Sequence, residues 1–533
     1  MSQLNLPKKI DFSFSKNPSL IENSIIIAFL LFGFVGVLHH EMWRDEFQAW
    51  LLARDSNTLI ELFYNMQYEG HPGLWHLCLY GLTQITHNPL IMQIFHLFIS
   101  IMIVCLIVKF SPFPPLHKFL LSFGYYIFYE YTIISRNYNL GVLFVVLFCI
   151  SYSRNKVKPI LLSILLALMA NTNAFALILS FAFSLTLVDY FYRQVQVNQL
   201  KQQKLFASIA ILLLGWGISI LQIIRPLISE EKIIRPLEVT TQQVQSNFSI
   251  LREIKQLITT FINIWRSYVP IPLELNNKFW NTNILIHNQS FPSIVGVSLG
   301  AVIAAFASLC LLLFVIKLLH QKRLILTIYI LGTGSIISFN YLIFKGEMRH
   351  RGHLFILLIA CIWLLYKEFA QMQKHTLIQK NKKLISQFLT VILSIHLLAG
   401  LHAYSIDLFY TFSIGRETAQ YIKDNNLDNF LIISQRDRQG AVLSGYLDRQ
   451  IYYPDRGEFG SFWKTEVKMK DIAIVEDVIR DNPDQTLLVL TYPLKNDSVF
   501  SADIDVKEVK QFDKPAIATL ENSYYIYRAR EIE

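Results

Sequence analysis

Charge is scarce in this chain. Only 16% of its 533 residues are Asp, Glu, Lys or Arg, whereas 53% are hydrophobic, which is more apolar surface than a soluble fold of this size can hide. A bilayer is the matching solvent. Cysteine is sparse too: Cys78, Cys105, Cys149, Cys310 and Cys361 lie in or beside apolar runs and form no Cys-x-x-Cys pair. That excludes a disulfide framework and a thiolate zinc site. An internal repeat and a low-complexity segment are also missing, and residues 405–533 show no glycine-rich phosphate loop or nucleophile elbow. The formal net charge is +9, but Lys and Arg occur in short clusters between apolar runs and not along one soluble face. They read as topology signals, and no nucleic acid partner is expected.

What is present is a series of apolar runs. Lys8, Lys9 and Lys16 precede the first, and no small-residue cleavage site follows it, so residues 1–20 read as a cytoplasmic N-terminus before a retained span. Runs long enough for ~30 Å of hydrocarbon, or nearly so, predict about eleven spans. They start near Ile21, Leu90, Leu116, Asn137, Pro159, Ala174, Leu205, Ser293, Leu324, Gly352 and Gln387. One long broken helix is an alternative to the two runs after Pro159 and Asn173. Alternate loops collect positive charge: Lys109 with Lys118, Arg154 to Lys158, Arg193 to Lys204, Lys317 to Arg323, and Lys367 to Lys383. These face the cytoplasm under the positive-inside rule. The transmembrane region 21–404 then carries outer loops at 39–88 and 225–291.

Residues 405–533 change character. Strand-like runs near 430–434, 486–491 and 523–527 alternate with amphipathic patterns near 417–423 and 467–479, so a small extracytoplasmic α/β domain is expected. No chemistry is assigned to it.

The first outer loop begins His39-His40-Glu41-Met42-Trp43-Arg44-Asp45-Glu46-Phe47-Gln48. As a helix it places Trp43, Phe47, Trp50 and Leu51 on one side, a pattern for the membrane interface. Asp45 and Glu46 directly follow a span, where ionised carboxylates are costly unless solvated or paired. One reading makes one of them a general base on an acceptor hydroxyl while the other orients the acceptor or helps hold a cation. The other makes both solvated acids balancing Arg44 and Arg54. Downstream, Glu69 and His71 lie in Tyr68-Glu69-Gly70-His71-Pro72-Gly73-Leu74-Trp75, with Pro72 near a helix start that tolerates its missing N–H. They are candidates for acceptor positioning or, with His39 and His40, for an optional divalent cation, although the spacing fits no strong zinc pattern. Interfacial hydrogen bonding is the alternative.

These two motifs, followed by Ser135-Arg136-Asn137-Tyr138-Asn139-Leu140, resemble the GT-C class of membrane glycosyltransferases, which includes protein O-mannosyltransferases and the aminoarabinose transferases of lipid A. Its members carry an acidic motif in the first outer loop, a His-Pro-Pro-Leu-like segment before the second span and an Ala-Arg-x-Tyr-like segment later. Here Gly73 stands for the second proline and Ser135 for the alanine. The resemblance implies that Asp45 is the catalytic base and that the donor is a polyprenyl-phosphate or polyprenyl-diphosphate sugar.

A further cluster, Lys345-Gly346-Glu347-Met348-Arg349-His350-Arg351-Gly352-His353, lies on the outer side in this topology, where short loops avoid Lys and Arg. Arg349 and Arg351, with Lys345 or His353, suit a lipid-linked phosphate, because guanidinium binds phosphate oxygens in pairs. Arg136 is a second candidate for that phosphate, or else an ordinary surface arginine pairing with Glu130. Nonspecific anionic head groups, or a local topology error, are the alternatives for the cluster. The long outer loop contains Trp265, Tyr268, Trp280 and two Ile-Arg-Pro-Leu sequences, at Ile224 and Ile234. Its aromatics read first as interfacial anchors and second as a sugar-stacking cover.

The expectation is thus an inverting glycosyltransferase in a membrane, with a bacterial plasma membrane preferred to endoplasmic reticulum. It would pass a sugar from a polyprenyl-phosphate donor to a glycan, lipid or protein hydroxyl. A transporter or flippase for lipid-linked saccharides and a noncatalytic scaffold are the rivals.

Overall fold

The computed structural model describes residues 20–532 apart from 155, 229–249, 287–292, 295–296, 372–375, 435, 455, 465–471, 483–484, 495–499 and 520–522. The N-terminal lysines and the second Ile-Arg-Pro-Leu sequence lie outside the described residues.

Among the described residues eight helices are long and apolar enough to cross a bilayer. They are α1 (Leu20–His39), α5 (Leu90–Phe110), α9 (Ala174–Gln196), α10 (Gln202–Ile228), α13 (Leu299–Leu319), α14 (Arg323–Leu342), α15 (Met348–Gln371) and α16 (Thr376–Phe409). At 1.5 Å per residue, α1 is about 30 Å long and α16 about 50 Å, so α16 extends well past a hydrocarbon thickness. Two shorter apolar helices, α7 (Tyr138–Ser153) and α8 (Pro159–Ala170), complete the set. This architecture fits a multi-pass membrane protein.

One sequence expectation changes and one of its alternatives falls away. The run starting near Leu116 is not one helix: α6 (Pro115–Ser122) stops at Phe123, and a fully buried π-helix follows over Tyr125–Ile133. The widened turn shows in Thr132, whose Oγ1 donates to Ile127 O at 2.6 Å, five residues back. Wide turns of this kind concentrate at functional sites. The pair α8 and α9 does not merge into a broken helix either. Asn173 caps α9 by accepting from Ala176 N, and Ser180 Oγ donates to Leu166 O at 2.7 Å across fourteen residues. Such a bond requires the two helices to fold back side by side.

Between α1 and α5 the chain forms α2 (Arg44–Arg54), α3 (Leu59–Asn65) and α4 (Leu74–Thr83). An interfacial helix would leave one face of α2 open, yet every residue from Glu46 to Arg54 is buried. The cause is the C-terminal region, which lies against it.

Ahead of α13, β1 (Ser293–Ile294) pairs antiparallel with β2 (Val297–Ser298). The C-terminal region holds a six-stranded mixed sheet in the order β5-β4-β3-β6-β8-β7. β3 (Leu431–Ser434) runs parallel to β4 (Ile451–Tyr453) and to β6 (Thr486–Leu490), while β5 (Glu458–Gly460), β7 (Ile504–Asp513) and β8 (Ser523–Glu531) pair antiparallel. α17 (Gly415–Asp424), α18 (Asp437–Leu447) and α19 (Ile472–Arg480) accompany it. A core of Ile432, Leu443, Leu487 and Ile526 fills one face of the sheet. α18 rests directly on α2: the Phe47 and Tyr446 rings meet edge to face at 4.7 Å, and any Cβ at Gly445 would collide with the Phe47 ring.

Candidate functional site

The π-helix, α2 and α15 converge where α1 ends, and they bring together residues far apart in sequence. Asp45 Oδ2 accepts from Arg349 Nη2 at 3.0 Å and lies 3.4 Å from Arg136 Nη1. Arg136 also donates to the Asp45 carbonyl oxygen. Arg44 Nε lies 3.7 Å from Asp45 Oδ1. One carboxylate is therefore shared by three guanidinium groups, leaving two positive charges in excess among these four side chains.

Each arginine is placed by its own surroundings. The turn preceding α7 is held by His96, whose ring spans Thr132 O and the Arg136 carbonyl at 3.1 and 3.0 Å. This orients Arg136 toward Asp45 and not toward Glu130. Glu130 instead accepts from Tyr125 Oη at 2.9 Å and Trp280 Nε1 at 3.3 Å. Arg349 is stacked by aromatics: its Cζ is 5.4 Å from the Trp43 ring centre and 5.9 Å from that of Trp280, close enough for cation–π attraction. Tyr131 Oη donates to Arg349 O at 2.6 Å, fixing the first turn of α15.

Electrostatics follow from this crowding. Burial raises the Asp45 carboxyl, but Arg136, Arg349, Arg44 and Arg438 together outweigh it and hold it below the usual range. It is ionised at neutral pH. His71 is buried beside Arg136 and Arg349 and is held down to about 4; its Nδ1 has no partner among the described residues. His76, buried next to His71, is held down to about 3. Both rings are neutral and add no charge that would repel an incoming cation or attract an anion.

Glu46 points to a different task. It is fully buried, and its oxygens accept from Ser135 N at 2.7 Å, Trp43 N at 3.2 Å and His40 Nε2 at 3.1 Å. The bond to Trp43 N is the return arm of a capping box, which ties down the start of α2. His40 Nδ1 donates in turn to Asp407 Oδ2 at 2.9 Å. Burial opposes a charge on His40, yet Asp407 and Glu46 prevail and push it up to about 10. This Glu46–His40–Asp407 chain joins α1, α2 and α16 beneath Asp45, so Glu46 positions its neighbour.

The other expected residues are distributed as follows. Glu69 accepts from Gln48 Nε2 at 2.7 Å. His353 Nδ1 donates to His350 O at 3.0 Å, and its ring stacks on Phe175 at 5.2 Å, making it a packing residue of α15. Lys345 is exposed, with no ion pair among the described residues. Arg351 turns away from Asp45 and donates through Nη2 to Gly346 O at 2.8 Å. Glu69 and His71 do not converge with histidines as a cation site would require. Among the described residues no group of three or more His, Cys, Asp or Glu side chains is placed to hold a metal ion.

The loop aromatics also differ from expectation. Tyr268 is fully buried and shares a 2.8 Å hydrogen bond with Tyr329 Oη. Trp265 Nε1 donates to Asn283 Oδ1, and Trp280 packs edge to face on Trp43 at 4.8 Å. They face inward because each has a polar tip that finds a protein partner.

Several contributors carry no local sequence signal. Trp463 accepts from Gln48 Nε2 at 3.0 Å through its carbonyl and donates its N–H to Gln48 Oε1 at 3.1 Å. Arg438 stacks on Trp463 at 5.7 Å and acts electrostatically on Asp45. The C-terminal region thus reaches the site. Asp407 was legible in principle, as a lone acid within the last apolar run. No model of a known protein family matches this chain, and no curated protein matches it.

Proposed function

We propose that this protein is an inverting glycosyltransferase that takes a sugar from a polyprenyl-phosphate donor in the membrane and passes it to an acceptor hydroxyl. The observation that carries the reading is the Asp45–Arg136–Arg349 cluster, one ionised carboxylate inside an excess of guanidinium charge. A phosphate-bearing donor supplies the missing negative charge, and a guanidinium has five donors with which to bridge Asp45 and phosphate together.

In this mechanism Asp45 removes the proton from the acceptor hydroxyl. The oxygen bonds to the anomeric carbon as the carbon–oxygen bond to the lipid phosphate breaks. Arg136 and Arg349 take up the charge that develops on the departing phosphate. Both arginines already touch Asp45, so base and leaving-group site are held in one geometry before substrate arrives. Positive-inside bias places this end of the helices on the outer face of the membrane, where the donor arrives through the bilayer. Neither a bound nucleotide nor a fixed cation is required by these groups.

The test is release of polyprenyl phosphate, in step with formation of glycosylated product, by purified protein in lipid nanodiscs. Wild type releases it and Asp45→Asn does not. Transfer of labelled donor across liposomes without phosphate release would instead identify a transporter, and unchanged cellular glycans in the Asp45→Asn strain would leave only a scaffold.

A further inference from the structure

The second basic group is separate from the Asp45 cluster and involves a residue that no motif pointed to. α12 (Asn263–Tyr268) packs against α15, with Gly352 pressed so closely on the Tyr126 ring that a Cβ would have no room. Tyr126 Oη donates to Arg266 O at 3.5 Å. This packing faces Arg266 toward Arg351. Arg351 is only 6% exposed. Its one described acceptor is Gly346 O, and its Nε and Nη1 are buried without a partner, as is Arg266 Nε. Glu347 acts electrostatically on both arginines, but among the described residues neither forms an ion pair with a carboxylate. Burial, followed by the charge of Arg351, holds Arg266 well below its usual basicity.

Buried donors left unbonded cost about 1–3 kcal/mol each, and more when charged. A pair of like charges whose acidic neighbour makes no direct ion pair with either adds to that cost. Such an arrangement is stable when an anion with several acceptor oxygens completes it. We infer that Arg266 and Arg351 form a second oxyanion site, specific for a phosphate group and independent of the Asp45 cluster. Two planar guanidinium forks match a tetrahedral phosphate better than a single-charge halide or a carboxylate. α11 (Ile250–Phe261) runs directly into α12, and together with α13 and α14 it borders an apolar groove of about 430 Å³ lined by Leu257, Ile258, Phe261, Ala305, Ile337 and Leu342. An aliphatic chain fits that groove, and its lining residue Phe261 ends the helix that leads into the one bearing Arg266, which favours a lipid-borne phosphate over a free one.

The experiment uses full-length protein in detergent, carrying Arg136→Gln and Arg349→Gln so that the first site does not contribute. Native mass spectrometry titrates phosphatidic acid, inorganic phosphate and diacylglycerol. Phosphatidic acid is expected to bind, and Arg266→Gln or Arg351→Gln to weaken it at least tenfold. Arg266→Lys and Arg351→Lys keep the charge and are expected to weaken it less, which covers a glutamine variant that does not fold. Phosphatidic acid binding tenfold tighter than inorganic phosphate assigns the site to a lipid head group; equal affinity assigns it to free phosphate. Diacylglycerol binding as well as phosphatidic acid, no phosphate probe binding in this background, or affinity unmoved by the Arg266 and Arg351 variants would each overturn the assignment. None of these results bears on transfer by Asp45.

Discussion

Asp45 and Arg349 are 304 residues apart in the chain and 3.0 Å apart in the fold. Their bond joins a short helix after the first span to the first turn of α15, and Arg136 completes it from a third segment.

From this geometry Asp45→Asn separates binding from chemistry. The amide cannot take a proton, so transfer should fall by roughly 10²–10⁴-fold. Yet the substitution also removes the one negative charge that Arg136 and Arg349 share, so affinity for the phosphate-bearing donor should hold or rise. The measurement is kcat together with donor KM. A loss of donor affinity equal to the loss of turnover would contradict the assignment of Asp45 as base.

Arg349→Lys tests planarity against charge. Lysine keeps the positive charge but cannot stack between Trp43 and Trp280, nor present two donors at a fixed angle. Activity is expected to drop about 10²-fold or more, the scale for losing one aimed donor at a developing oxyanion. Because Arg349 is held by aromatic faces at 5.4 and 5.9 Å, Trp280→Leu should produce a smaller loss in the same direction. Steady-state rates of the three proteins rank the effects; wild-type rates for Arg349→Lys would show that charge alone suffices.

The sequence made the first ring of this site legible because ionisable groups at the ends of apolar runs are conspicuous. Asp45, His71, Arg136 and Arg349 each stand out in that way, and all four are brought together. Direction was not legible. Arg349 and Arg351 are two residues apart on one helix, so about 200° of rotation separates them, and only packing decides that one meets Asp45 and the other Arg266. Glu46 reads like a second catalytic acid until Ser135 N, Trp43 N and His40 are seen to occupy it. The C-terminal strands near 431, 486 and 523 follow from their continuous apolar runs, but the short β4 and β5 and the helix α18 carry no comparable signal. The contacts of α18 with α2 are long-range, and no local pattern encodes them.

Gly445→Ala tests whether the C-terminal region belongs to the working site. The new methyl group must displace the buried Phe47 ring, and overpacking of this kind costs about 1–3 kcal/mol. Separation of α18 from α2 would also release the Arg54 bonds to Ser444 O and Asp448. Limited proteolysis is expected to cut between the last span and α17 faster than in wild type, and transfer to fall although no site residue has changed. Unaltered proteolysis and activity would show that the two regions are merely neighbours.

His40 gives the fold a pH dependence whose sign follows from its partners. Burial disfavours its charge, but Asp407 and Glu46 on either side push it up to about 10, against an ordinary value near 6.5. A group more basic in the folded state stabilises that state fully below its unfolded value, and the contribution is lost as pH rises through the folded one. Thermal unfolding in detergent should therefore show Tm declining between about pH 7 and 10, most steeply midway and levelling off beyond 10. His40→Gln leaves Glu46 and Asp407 buried without a cation, at a cost of about 3–5 kcal/mol, so its Tm should be lower at neutral pH and flatter across that range. An acid-side loss would follow a different group: Asp45 is held below the usual carboxylate range, so its contribution persists above that range and fades only as pH falls through its depressed value. The two contributions fail at opposite ends of the pH scale, because Asp45 sits among guanidinium groups while His40 sits among carboxylates.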